Sequence, residues 1–292
     1  MPERLLIINA DDFGLCEEVN RGVVEACQRG LLRATTLMAN GAAFDDAVAR
    51  AGTHPALDVG CHLVLVGGSS VALPGKKLPR TLVELLISLA RDPSVARIEE
   101  EFAAQVERLI AAGVAPSHLD THKHTHLLPP VLKAMLRTAQ RYGVRWIRRP
   151  FDLPLTAARA QAPAGRHTVS RLLGRLDGPF RRRLARAGCR ATDFFAGFQL
   201  TGTLRSRELA DLIRNLPPGL TELMCHPGYC GPELRNLPTR LKESRERELE
   251  ALLSPEARQA AEDSQVRSVS YRDLDERPAE SPFEAASGRV IG

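Results

Sequence analysis

Apolar runs of strand length alternate with segments of helical period along most of this chain, and that alternation limits the fold more than any other feature. Leu5 to Ala10 is one such run, and "DDFG" after it reads as the loop that follows a buried strand. Glu17 to Arg29 sets Val19, Val23, Ala26 and Cys27 on one helical face, and Gly30 ends it. "RATTLMANG" and "LDVGCHLVL" read as the next strands, with the helix "FDDAVARAG" between them. Two helices follow, "TLVELLISLARD" and "SVARIEEEFAAQVERLIAAG", the second capped by Ser94 and closed at Gly113. "SHLDTH" is a short strand, "PVLKAMLRTAQRYG" a helix ending at Gly143, and "VRWIR" a further strand. Residues 151–192 interrupt the pattern with a Pro-, Ala- and Arg-rich insertion. "DFFAGFQL", a helix near 205–214, the strand "LTELMCHPG" and the charged helix "TRLKESRERELEALL" then resume it. Repeated strand–helix units build a parallel sheet covered by helices. The expectation is one barrel-like α/β domain over residues 1–270, an insertion at about 151–192, and a frayed polar tail over 275–292.

Composition narrows the class. Apolar residues make up 43% and charged residues 26% of 292, the balance of a soluble protein with a sizeable core. No apolar run approaches the roughly 20 residues that span a bilayer. The start, "MPERLLIINADDFG", lacks the pattern of a signal peptide, so the chain is expected in the cytoplasm. Six cysteines form no C-x-x-C pair and read as reduced, mostly buried thiols.

Half of the 8 histidines crowd into "HLDTHKHTHLLPP", residues 118–130. Other polar residues also stand where predicted strands end: Asp11 and Asp12 after the first, His62 in the third, His226 after "LMC". Singly, each has a structural reading, the aspartates as turn caps and His62 as a satisfied core histidine. Jointly they do not, because parallel α/β folds gather functional groups at these strand ends. One carboxylate and two imidazoles hold a divalent ion with positions left for water or substrate. A second carboxylate beside them serves as a general base, and a histidine across the site protonates a leaving amine. That set of parts performs metal-assisted amide hydrolysis.

"LLIINADDFGLCEEVNRGVVEA", "LDVGCHLVL" and "HLDTHKHTHLLPP" resemble the signature segments of the YdjC-like carbohydrate deacetylases, relatives of the NodB-type polysaccharide deacetylases. "LTELMCHPGY" resembles that family's fourth segment. The resemblance implies an irregular (β/α) barrel of the polysaccharide-deacetylase type, one bound divalent ion, and removal of N-acetyl groups from amino sugars. By motif position Asp12, His62 and His122 resemble the metal ligands, Asp11 the catalytic base and His226 the general acid. His124 and His126 would line the sugar pocket or support the ligands, and Asp120 would orient a ligand histidine; His118 stays outside the ligand set. Zinc suits these ligand types, with magnesium or another divalent ion as alternatives.

"WIRRPFD", "NLPPGLTELMCHPGYCGPELR" and "TRLKESRERELEAL" resemble the hopanoid-biosynthesis branch of that family. This implies an N-acetylglucosaminyl group on bacteriohopanetetrol as substrate, against the alternative of soluble N-acetylated sugars such as diacetylchitobiose. From Arg145 to Arg190 there are twelve arginines, no lysine, and only Asp152 and Asp177 as acids. Leu172, Leu173, Leu176, Phe180 and Leu184 recur among them at helical spacing. Such a segment either lies at a lipid interface, at the inner face of a membrane, or forms a lid over the pocket. A nucleic-acid-binding arm fits poorly, because only 4% of the residues are aromatic and a metal site would be idle. A homo-oligomer is compatible with the sequence.

Overall fold

A computed structural model describes residues 3–154 and 164–275. Eight strands build one sheet: β1 (Arg4–Phe13), β2 (Ala34–Leu37), β3 (Asp58–Leu63), β4 (His118–Thr121), β5 (Trp146–Ile147), β6 (Phe194–Ala196), β7 (Gly219–Cys225) and β8 (Val266–Ser268). Their order is β5-β4-β3-β2-β1-β7-β6, with β8 paired to the start of β1. All of these pairings are parallel. The two ends of this row are stitched together by isolated parallel bridges, Trp146 to Arg190 and Asp152 to Phe195, so the sheet curls into an irregular (β/α) barrel.

The apolar run in β1 is continuous because both of its faces are covered. Leu6, Ile8 and Ala10 join the large core between sheet and helices. Leu5 and Ile7 point the other way, to Ala34, Trp146, Leu220 and Tyr271. Full burial of each such aliphatic side chain stabilises by about 1.5–3 kcal/mol. Glycine permits the closest approaches. A Cβ on Gly22 would fall 2.5 Å from Gly228 Cα, so that glycine lets the loop after His226 lie against the helix Glu17–Arg29.

Three sequence expectations change. The first strand does not stop at Ala10 but continues through Asp11 and Asp12 to Phe13. The His-rich segment is a 3-10 turn, His122–Leu127, with Lys123 and His124 both left-handed. The ordered chain runs just past residue 270, to the short helix Tyr271–Asp275, and inside the expected domain the helix Pro255–Asp263 and β8 are elements the sequence reading did not assign. Tyr271 stacks on His118 at 4.0 Å, and Asp58 accepts the backbone N–H groups of Tyr271 and Arg272. Most of the tail expected at 275–292, and residues 155–163 of the insertion, lie outside the described residues.

Candidate metal centre

Adjacent residues of a regular strand point to opposite faces. Asp11 and Asp12 are adjacent, yet both reach the site, because β1 is irregular there. Its register with β2 shifts between Ala10 and Phe13, and Asp12 has φ 68°, a left-handed conformation that aspartate tolerates better than most residues. The next strands supply the histidines. His62 lies in β3 opposite Asp120 of β4, and His122 follows β4 directly.

Asp12, His62 and His122 converge. Asp12 Oδ1 is 3.1 Å from His122 Nδ1 and 3.5 Å from His62 Nε2, and the two ring nitrogens are 3.3 Å apart. Ligands held near 2.0–2.1 Å at tetrahedral angles around one ion are separated by roughly 3.3 Å. Asp12 Oδ1 is buried and has no hydrogen-bond partner among the described residues. An orphaned carboxylate oxygen facing two ring nitrogens at this spacing fits a divalent cation. His122 is the most open of the three, its side chain 24% exposed against 1% for His62, so the candidate site is reached from the His122 side.

Two of these candidate ligands are held from behind. His62 Nδ1 is 2.6 Å from Asp120 Oδ1 and 3.1 Å from Thr36 Oγ1, which leaves Nε2 for the site. Asp12 Oδ2 accepts from Arg245 Nη2 at 2.5 Å. Burial alone would raise the Asp12 carboxyl, but Arg245, His122 and His62 outweigh it and hold it well below its usual value. Burial alone would lower the His62 ring, but Asp120, Asp12 and Asp11 raise it to about 10. A cation held at the centre would supply that positive charge instead, with the His62 ring as a neutral ligand.

Arg148 is fully buried and ties three carboxylates together. It donates to both oxygens of Asp11 at 2.7 Å and to Glu222 at 2.6 Å, and it pairs with Asp120. Asn9 adds a bond to Asp11 Oδ1 at 3.2 Å. Burial works against ionisation of Asp11, but Arg148, His62 and His226 prevail and keep it a carboxylate. His226 Nε2 stands 4.0 Å from Asp11 Oδ2. The backbone N–H of His226 donates to Glu248 Oε2 at 2.6 Å, and its Nδ1 is 3.8 Å from the same oxygen.

The remaining histidines divide. His124 is half-buried between Phe195 and Phe198, with ring centroids 6.1 and 6.2 Å away. His126 is fully buried, 2.6 Å from Thr121 Oγ1 and near Phe180, so it supports the turn and does not line an open pocket. His118 bonds Asn9 at 2.9 Å and belongs to the barrel interior. In the insertion the apolar residues do not share one face. Phe180 and Leu184 are buried, whereas Leu172 and Leu176 are exposed beside Arg171 and Arg175.

Sequence reasoning did not single out Arg148, Arg245, Glu222 or Glu248. One signal was available for two of them. Arg245 and Glu248 lie three apart in "SRERELEAL", one helical turn, and both project from the same side of the helix Glu243–Leu253.

In structure the chain is similar to a candidate cellobiose-phosphate cleavage protein from Enterococcus faecalis V583. The two share 22% identity over 93% of this chain and 99% of that one, with a TM-score of 0.71. That likeness bears on the fold alone. A family 4 carbohydrate esterase from Streptomyces lividans, solved with acetate, is 11% identical over 93% of this chain and 96% of that one, at a TM-score of 0.47. That similarity is too distant to bear on function. The family model described as YdjC-like protein matches residues 5–263, nearly the whole of the described barrel, and the chain therefore belongs to the YdjC-like family.

Proposed function

We propose that this protein is a metal-dependent N-deacetylase that removes acetyl from an N-acetylglucosaminyl group carried on a hopanoid lipid. The observation that carries the reading is the orphaned Asp12 Oδ1 facing His62 Nε2 and His122 Nδ1, with Asp11 and His226 beside it. Asp12, His62 and His122 would hold the ion; their donor set suits zinc, with magnesium or another divalent ion as alternatives. When bound, such an ion polarises the acetyl carbonyl and acidifies the attacking water.

The chain's own groups do the rest. Asp11, kept ionised by Arg148, takes a proton from the attacking water; as a weakly basic carboxylate it is suited only to water already acidified. His226 gives a proton to the amine nitrogen as its bond to the acetyl carbon breaks. Water thus supplies the hydroxyl of acetate, and the sugar leaves with a free amine. Asp120 keeps His62 Nδ1 occupied so that Nε2 faces the ion. Glu248 fixes the backbone of His226 and stands near its ring. His124, between Phe195 and Phe198, would border the sugar.

The lipid assignment draws on the resemblance of the 146–152, 215–235 and 239–252 segments to the hopanoid branch, and on Leu172 and Leu176 exposed beside arginines. A soluble disaccharide is the second reading. It is favoured by Phe180 and Leu184, which turn inward as a lid's would. The test is release of acetate from N-acetylglucosaminyl bacteriohopanetetrol and from diacetylchitobiose, with and without chelator. The reading expects chelator-sensitive turnover of both and faster turnover of the lipid. Equal rates move the substrate to soluble sugars, and no turnover of either overturns the deacetylase.

A further inference from the structure

The segment between β3 and the helix Val95–Ala111 leaves the barrel directly after His62, on the face where the candidate metal site opens. It begins as a hairpin-like arm, in which Ser70 N–H donates to Lys76 O and Leu78 N–H to Gly68 O. The arm is firmly anchored. Glu101, buried in the helix behind it, accepts from the Ser70 hydroxyl and from the N–H groups of Val71 and Ala72. Asn40 donates to Gly67 O and Ser69 O. So fixed, the arm holds Leu73, Lys76 and Lys77 out in solvent.

The helix Leu82–Arg91 follows, capped by the Thr81 side chain. Its sequence is apolar, yet it sends only Leu85 fully into the core. Leu82, Val83, Leu86, Ile87 and Ala90 form one stripe that faces solvent, with Val83 64%, Leu86 49% and Ile87 47% exposed. A surface helix normally turns its apolar stripe to the core and its polar face to water. This one sends Leu85 and the partly buried Leu89 to the core and turns a second apolar stripe to water, in a segment that also exposes Leu73. Lys76, Lys77, Arg80 and Arg91 flank the stripe against two acids, Glu84, which pairs with Arg80, and Asp92, which pairs with Arg97.

We infer that this arm and helix are a docking surface for an anionic lipid bilayer, seating the mouth of the site against the membrane that holds a lipid-linked substrate. The inference rests on the lipid-linked reading above for its purpose and on the charge of the surface for its partner. An apolar stripe inserts among acyl chains, and flanking lysines and arginines meet the anionic headgroups. A second copy of the chain suits the surface less well. Antiparallel packing of two such helices sets Lys76, Lys77 and Arg80 of each copy near Arg91 of the other, and parallel packing sets like against like. Asp92 and Glu84 are taken within each copy by Arg97 and Arg80, so they offset little of that repulsion. Leu172 and Leu176, beside Arg171 and Arg175 in the insertion after β5, repeat the same chemistry on a second element.

The test is co-sedimentation of the full chain with vesicles of phosphatidylglycerol and phosphatidylcholine, and with phosphatidylcholine alone. The inference expects binding to the anionic vesicles, weaker binding to the neutral ones, and loss of binding as salt screens the headgroups. The exposed double variant Leu86→Gln/Ile87→Gln should weaken binding at least about tenfold. It should leave hydrolysis of soluble diacetylchitobiose unchanged, which also shows that the variant is folded. Absence of binding, or binding indifferent to the double variant, overturns the docking surface. So does a wild-type dimer in light scattering that the double variant converts to monomer, because a second copy then covers the stripe. Vesicle binding without any deacetylation would instead sink the enzymatic reading and leave the docking surface standing.

Discussion

Arg245 Nη2 lies 2.5 Å from Asp12 Oδ2, and this contact leaves Asp12 Oδ1 as the only oxygen of that carboxylate aimed at His62 and His122. Arg245 comes from a helix more than two hundred residues later in the chain, and the same helix sends Glu248 to the backbone of His226. One turn of helix therefore sets both the carboxylate ligand and the proposed acid.

Replacing Arg245 by Met removes that hold while keeping length and apolar bulk. Partners that orient metal ligands are typically worth about 10–100-fold in affinity or activity. Titration of metal-free Arg245→Met with zinc in a metal-buffered solution should show a loss of that order. An unchanged affinity would mean that Asp12 needs no support from this side.

Asp120→Asn tests the opposite side of the centre. The amide cannot supply the negative charge that favours a hydrogen on His62 Nδ1, so the ring loses its preference for presenting Nε2 bare. Zinc affinity should again fall about 10–100-fold. Because Arg148 retains Asp11 and Glu222, circular dichroism should still report a folded barrel.

Asp11→Asn separates base from ligand. The variant should bind zinc like the wild type and lose about 10²–10⁴-fold in turnover, since an amide cannot accept the proton of water. Asp12→Asn should instead lose the ion. If the two variants behaved in the reverse way, the roles of the carboxylates would have to be exchanged.

His126 makes a prediction about acid stability. Burial, with help from Arg148, lowers its ring from 6.5 to about 3. The folded protein thus keeps it neutral where the unfolded chain would protonate it. Stability from this group is intact above pH 6.5 and drains away as pH falls from 6.5 towards 3. The slope is at most about 1.4 kcal/mol per pH unit. Melting temperatures measured across that window should fall less steeply for His126→Gln than for the wild type, and parallel slopes would show that His126 does not carry the effect.

The strands and most helices were legible because their apolar runs and caps are local signals: Thr81 and Ser94 cap their helices, and Gly143 closes its own with φ 69°. Asp12 and His62 were legible as candidates because each ends or interrupts an apolar run with a polar group, and His122 because it falls in a cluster of four histidines at the end of a short strand. The continuation of β1 through the two aspartates was not, since it depends on a register shift against β2 that no local pattern announces. Arg148 and Arg245 were hidden for another reason. In an arginine-rich chain neither stands out, and each is explained only by a carboxylate that the fold brings from far away in sequence. β8 and Tyr271 escaped because a three-residue strand and a single aromatic residue carry too little periodicity to be seen.

Crystals of the protein grown with zinc and measured at the zinc absorption edge would test the centre most directly. The account predicts one anomalous peak bonded to Asp12 Oδ1, His62 Nε2 and His122 Nδ1 at about 2.0–2.2 Å, with Asp11 close by and held by Arg148. No peak at that point, or zinc bound only at another candidate cluster, either Asp11, His62 and Asp120 or Cys16, Glu18 and Glu233, would contradict it.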